Sequence, residues 1–289
     1  VFKPRAVGIG EMGKEVLQAI AGQIGPQEGP HDRVPEPHAV AKGDVDIRGL
    51  CWRLGRDALA PRRIQQRPLR DPKPRRELAF STLSIGIFTL LLTGLWAFDQ
   101  FGWTALYWDV AEHGWLWFWA QIAVLAVVHD SYYYWAHRWM HHPRVFRHVH
   151  KLHHEFHNPT PFASYAFHPW EAVVEVAWIA PLAFLMPIHP VALGLYVVVL
   201  TVLNVISHLG YEFYRPSVAR WFITSTHHNL HHTRAKGHFM LYFNLWDRLM
   251  GTNQHDYVAA IEEIEARAAQ ARVQDDGRTV RDGEALPAA

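Results

Sequence analysis

Nine histidines in four groups carry the chemistry this sequence advertises: His137 and His141, then His150, His153 and His154, then His208 alone, then His228, His231 and His232. On a helix, residues i, i+3 and i+4 share a face. Each H-x-x-H-H run is therefore expected to aim three imidazoles at a common point, and His137 and His141 do the same at i, i+4. Neutral imidazole is a nitrogen ligand suited to iron, zinc, copper or nickel. A mononuclear site needs three or four protein ligands, so nine imply two metal ions with positions left open for a substrate or O2. No paired glutamates accompany them, which separates the pattern from the soluble di-iron carboxylate bundles. The bland alternative is a row of polar aromatic residues at headgroup level, or a pH-sensitive cluster. Uncoordinated, nine packed imidazoles would gain nothing from clustering and would repel one another on protonation, so coordination is the preferred reading.

The rest of the composition says what must position them. The 289 residues are 49% hydrophobic and include 13 tryptophans, while the formal net charge of +1 gives no field for a nucleic-acid partner. A single cysteine, Cys51, excludes a disulfide framework and a Cys-rich zinc or iron–sulfur site. Residues 79–98 run without a charge, enough to span a bilayer, and follow a basic run at 61–76 that reads as a cytoplasmic anchor. The loop at 99–112 holds three acidic residues and no basic ones, as suits the outer side. A second span is expected at 114–136, with third and fourth at 172–187 and 190–207, joined only by Ile188 and His189 and short enough to form a tilted or incomplete hairpin.

The expected fold is thus an all-α integral membrane protein of about four transmembrane helices in two hairpins, with a cytoplasmic helical cap carrying a dimetal site. Residues 1–78 form a partly disordered basic region, 79–252 the membrane domain, and 253–289 a charged helix and disordered tail. An even number of crossings brings all four histidine groups to one face, with His189 on the other. The glycines at 8, 10 and 13 fit dinucleotide-binding spacing, but the prolines that follow leave no room for a βαβ unit, so a glycine-rich lead-in with a short helix at 13–22 is preferred.

The stretches HDSYYYWAHRWMHH (129–142), HKLHHEFHNPTPFASYAFHPWE (150–171) and THHNLHHTRAKGHFMLYFNLWDRLMGT (226–252) resemble those of the fatty acid hydroxylase/sterol desaturase superfamily of membrane di-iron oxygenases. The wording of the middle stretch resembles the sterol C5-desaturase branch. The likeness covers roughly residues 79–252. It implies two iron ions held by the nine histidines above, with zinc able to occupy the same ligands in purified protein, and O2 as co-substrate. It also implies a lipid that is desaturated or hydroxylated. Asn204 stands where some members carry a tenth histidine, and is expected to hold a water or line the site. Asn229 replaces a usual aspartate, and His238-Phe239-Met240 replaces a usual Asn-Tyr-Gly, which loosens the inference to substrate.

Other residues leave alternatives open. Asp130 lies seven residues before His137 on the same helical face, and reads either as an acceptor for a ligand N–H or as a polar helix end. His168 reads as a supporting or structural histidine. His157 and His227 are not expected to be ligands, and Asp247 and Arg248 are expected to pair elsewhere than with each other. The substrate is expected to enter laterally from the membrane, past Tyr132–Trp135 and Phe239–Phe243. Electrons must come from a cytochrome b5-, ferredoxin- or rubredoxin-like protein and its reductase, since the chain has no redox centre besides the histidines. The preferred function is a desaturase of a sterol-like lipid. Hydroxylation of a carotenoid, hopanoid, fatty-acyl or sphingoid lipid is the alternative, and a zinc hydrolase or a metal transporter the reading from another class. Location in a bacterial inner membrane (the endoplasmic reticulum in a eukaryote), with both termini and the metal site cytoplasmic, completes the set of expectations.

Overall fold

Pro74 opens the first long helix, and twenty-seven residues without an internal proline carry it to Gln100. A computed structural model describes residues 59–66, 74–157 and 160–284, with side chains to residue 274. The glycine pattern at 8–13, the helix expected at 13–22 and part of the basic run lie outside these. The helices, in order, are α1 (Pro74–Gln100), α2 (Gly114–Met140), α3 (Pro143–Val149), α4 (Lys151–His154), α5 (Pro169–Val176), α6 (Ile179–Leu185), α7 (Pro190–Ser207), α8 (Pro216–Ala219), α9 (Ser225–Arg234), α10 (Leu245–Leu249) and α11 (Tyr257–Glu284). Isolated bridges such as Phe222 to Phe243 are the only extended pairing among the described residues. The fold is all-α.

Two helices, α1 and α7, are long and apolar enough to cross a membrane, not four. Their surfaces suit that role. Leu83, Ile85, Leu90, Val198, Val199 and Val202 stand exposed, whereas the core helix of a soluble protein would bury them. The second expected span, α2, is as long as α1, but its inner face is polar. Buried Gln121 donates to the Tyr107 hydroxyl (2.9 Å) and accepts the His189 N–H (2.8 Å), and His129 Nδ1 meets the Tyr196 hydroxyl at 2.6 Å. The third expected span is broken into α5 and α6, of eight and seven residues, against the ~20 that a crossing needs. Pro181 explains the break: it has no N–H for the Ala177 carbonyl, and its ring clashes there.

The two hairpins expected are not the packing units: α1 packs against α5, and α2 against α7. The loop after α1 meets the turn between α6 and α7 at one end, with Ala105 N–H donating to Ala183 (2.7 Å) and Tyr107 N–H to Ile188 (3.2 Å). Between these helices lies a core that includes Leu125, Trp178, Ile179, Ile188 and Tyr196. At the opposite end, buried Glu77 near the start of α1 accepts from Thr160, and Arg76 pairs with Glu155 at 2.6 Å. That end carries α3, α4 and α9, and with them every histidine group named above. The charged helix expected after 253 is α11, and it runs on to Glu284.

His189 sits at the far end, as expected, but it is not idle. Its Nδ1 accepts the Val191 N–H and caps α7, and Nε2 lies 3.1 Å from the Trp108 carbonyl. His189→Ala is accordingly expected to lower stability by about 1 kcal/mol while leaving metal content unchanged. Thermal melting alongside elemental analysis checks both halves of that expectation.

Candidate metal centre

Local structure delivers the histidines from four directions. His137 lies in the last turn of α2, and His141 is the residue on which that helix ends. The next helix, α3, starts from Pro143 and stops at His150, which leads into α4 with His153 and His154. His208 closes α7. The helix bearing the last group is fixed at its start by Thr224 and His227, whose side chains and backbone bond reciprocally, and by buried Glu212, which accepts from Thr224 Oγ1 (2.7 Å) and Thr226 N–H (3.0 Å). That is the end of a helix where a carboxylate is welcome.

All nine histidines come together, in two groups. His137, His141, His150, His154 and His231 form one, and His153, His208, His228 and His232 the other. Within each group the candidate ligand nitrogens lie within 4.8 Å of one another. The expectation that each H-x-x-H-H run points at one place needs correcting. Successive helical residues turn by about 100°, so i+3 and i+4 diverge by that angle while i and i+4 stay within about 40°. Each run accordingly splits. His150 and His154 join the five-histidine group and His153 the other, while His228 and His232 join the four-histidine group and His231 crosses back.

The hydrogen bonds show which nitrogens face inward. His137 Nδ1–H donates to the Phe239 carbonyl (3.0 Å), His231 Nδ1–H to Gly237 (2.7 Å) and His208 Nδ1–H to Asn204 (2.8 Å). His150 Nδ1–H donates to the Glu171 carboxyl at 2.6 Å. A proton held at Nδ1 leaves Nε2 as a bare lone pair. Yet His137 Nε2 lies 3.0 Å from His150 Nε2, and His208 Nε2 lies 2.9 Å from His228 Nε2. The first of these pairs is not a hydrogen bond, because both rings carry their proton at Nδ1 and neither Nε2 has one to give. Burial holds the imidazoles unprotonated, with His231 down to about 4, His154 to about 2 and His150 well below its ordinary value. Crowded lone pairs in a dry interior repel unless a cation lies between them. The donor set therefore fits two metal ions, with four of the ligands, His137, His150, His208 and His231, each oriented by an acceptor behind it.

The residues proposed to stand behind the ligands resolve differently. Asp130 does not reach a ligand: seven residues are ~10 Å of helix, too far for a bond to His137. Its Oδ1 accepts the N–H groups of Tyr242 (2.7 Å) and Leu241 (3.2 Å). Asp247 does the same one stretch earlier, taking the Phe239 and Met240 N–H groups at 3.0 and 3.1 Å. Two buried carboxylates thus pin the segment 239–242, whose Phe239 carbonyl holds His137. His168 is also off the metal groups. It caps α5, its Nδ1 accepting the Trp170 N–H at 3.3 Å. Asn204 serves through its carbonyl, while its side chain donates to Ser164 O at 2.8 Å. Arg248 lies over the Trp221 ring rather than on Asp247, and His157 is exposed.

Glu171 was missed. It is fully buried, and its signal was a carboxylate at the head of an otherwise apolar stretch, where ionisable residues are costly. Gly237 is the other. Its φ is +66°, and a Cβ there would stand 2.4 Å from the Thr252 carbonyl oxygen, so only glycine turns the chain to present its carbonyl to His231.

Beside the four-histidine group lies an apolar cavity of about 290 Å³, lined by Leu203, Ile206, Phe222, Leu241 and Tyr242 among others. It also touches Ser207, next to His208, and Ser225, three residues before His228. Of the walls expected for a lipid, the 239–243 stretch contributes. Tyr134 does not, being wholly buried against Trp246.

Residues 122–252 match the family model described as fatty acid hydroxylase. The chain is similar to the lathosterol oxidases of Mus musculus, 35% identical over 62% of this chain and 61% of that protein, and of Homo sapiens, 32% identical over 62% and 60%. It is also similar to a Delta(7)-sterol 5(6)-desaturase of Gibberella zeae, 28% identical over 72% of this chain and 64% of that one. The chain thus spans about three fifths of the length of these curated relatives. No solved structure matches it.

Proposed function

We propose that the chain, with its fatty acid hydroxylase match and its likeness to sterol desaturases, is a member of the fatty acid hydroxylase/sterol desaturase superfamily, a di-iron oxidoreductase that uses O2 to desaturate a sterol-like membrane lipid. The observation that carries the reading is the pair of histidine groups with inward lone pairs. Iron rather than zinc is the working metal, since zinc accepts the same nitrogens but takes no part in redox steps. Bound there, two irons would supply the oxidant that breaks an unactivated C–H bond, which side chains alone cannot do.

The chain's own residues do the rest. The nine imidazoles would hold the two metals, and the carbonyls of Gly237, Phe239 and Asn204 with the Glu171 carboxyl hold four of those imidazoles in one orientation. The cavity flanked by Leu203 and Leu241 takes the lipid from the membrane side, where an aqueous route would cost ~0.8 kcal/mol per exposed CH2. Its apolar lining also keeps water from the reacting carbon. Desaturation removes two hydrogens and, with O2, two electrons and two protons, gives an alkene and two waters. Hydroxylation with the same inputs gives an alcohol and one water. The electrons come from a separate carrier and its reductase. The basic run preceding α1 supports a histidine cap on the cytoplasmic side, and the membrane in this reading is a bacterial inner membrane.

Elemental analysis of protein from iron-supplied cells is expected to give about two irons per chain. Lipid extracts from expressing and deletion strains are expected to differ by a sterol-like species lacking two hydrogens. Gain of one oxygen instead would assign hydroxylation, and active protein with a single metal would overturn the dimetal reading.

A further inference from the structure

The two metal groups are covered differently, and the difference points outward. The four-histidine group is walled by the helix side of the molecule: His208 ends α7, and the Phe167 ring lies 5.1 Å from His153. The five-histidine group is covered by the seven-residue α3. The Phe146 ring on its inner face lies 5.3 Å from His141 and 5.5 Å from His154. On the outer face Arg144, Arg147 and His148 are exposed, and so is Lys151 just beyond. Lys236, also exposed, precedes the glycine whose carbonyl holds His231.

These cations are uncompensated. Among the described residues the neighbouring carboxylates are already engaged, Glu155 with Arg76 and Asp256 with Arg234, and none pairs with Arg144, Arg147, Lys151 or Lys236. Exposed like charges held together without counter-charges repel, and a partner of opposite sign relieves that.

Resting on the oxidoreductase reading above, we propose that the outer face of α3 with Lys151 and Lys236 is the docking surface for an acidic, soluble one-electron carrier, which delivers its electrons to the five-histidine side. A carrier seated there has only α3 between it and that metal group. The cavity proposed for the lipid is lined by Ser207 and Ser225, near His208 and His228 of the other group, and by no residue of α3, so substrate and donor need not compete for one surface. Two successive encounters supply the two electrons of one turnover, each leaving one oxidised carrier.

The test uses the full iron-loaded chain in detergent, with an acidic ferredoxin, an acidic rubredoxin and the soluble domain of a cytochrome b5 as probes. The parent is expected to bind at least one of them at low ionic strength, with affinity falling as salt rises. Arg144→Glu/Arg147→Glu/Lys151→Glu is expected to weaken that binding about tenfold or more, with iron content unchanged. Arg272→Glu, exposed on α11, serves as the control and is expected to bind as the parent does. Binding that ignores the triple reversal, or a parent that binds none of the three, overturns the proposal. So does a triple variant that loses attachment only to phosphatidylglycerol vesicles, which assigns the patch to the membrane. Lipid turnover driven by dithionite separates the two readings: a parent active with dithionite but indifferent to carriers refutes the docking surface alone, and one inactive with dithionite refutes the enzyme.

Discussion

His154→Ala and His231→Ala are each expected to abolish lipid turnover and to bring iron below two per chain, while the protein still inserts and folds. Both belong to the five-histidine group but come from different helices, α4 and α9. Each helix also serves the second group, through His153 and through His228 and His232. A deletion therefore disturbs both metals: it removes one ligand outright and frees the helix that aims the others. Insertion is spared because neither residue lies on α1 or α7. Iron per chain, turnover and membrane fractionation measured together check the expectation. Full turnover in either variant would remove that histidine from the ligand set.

Glu171→Gln carries the second large effect. The carboxyl accepts the Nδ1–H of His150 at 2.6 Å, and both groups are fully buried. Without metal, burial pushes Glu171 well above the usual carboxylate range and holds His150 well below its own, so the pair is neutral. A cation on Nε2 reverses the preference: it draws charge from the imidazole, and an anionic acceptor behind the ring then stabilises the bound state. Glutamine keeps an oxygen in place but removes that negative charge. Loss of support of this kind typically costs 10–100-fold in metal affinity or activity. The conservative Glu171→Asp retains the charge at a shorter reach and is expected to recover part of the affinity. Metal titration of the three proteins is the measurement, and equal affinity in all would reduce Glu171 to a packing role.

The histidine groups were legible because their signal is local. Spacings of three and four on one helix, at the ends of apolar stretches, limit where the side chains can go, and all nine named positions come together. The fourth expected span, 190–207, coincides with α7, bounded by a proline and a histidine that both mark helix ends. The third was misread because an apolar run of fifteen residues looks the same whether it crosses lipid or folds into two short helices. Pro181 and the two glutamates of α5 were the dissenting residues. Asp130 was misassigned for a different reason. Its partners are main-chain N–H groups more than a hundred positions away, and a backbone amide leaves no mark in a sequence. The sharing of each H-x-x-H-H run between two groups follows from helical angles and is as local a signal as the spacing itself.

The way the metal ligands are braced from 237 to 242 bears on how such a protein can change its diet. Gly237 and Phe239 hold His231 and His137 by their carbonyls, and Asp130 and Asp247 grip the same stretch by its amides. None of these bonds involves a side chain of 239–242, and carbonyls and amides are the same whatever residue bears them. Leu241 and Tyr242 nonetheless line the cavity where the lipid is to lie. Mutation there can reshape the contact with substrate while the oxidant's cradle keeps its shape. Heredity can therefore try new lipids on this scaffold without first losing the reaction.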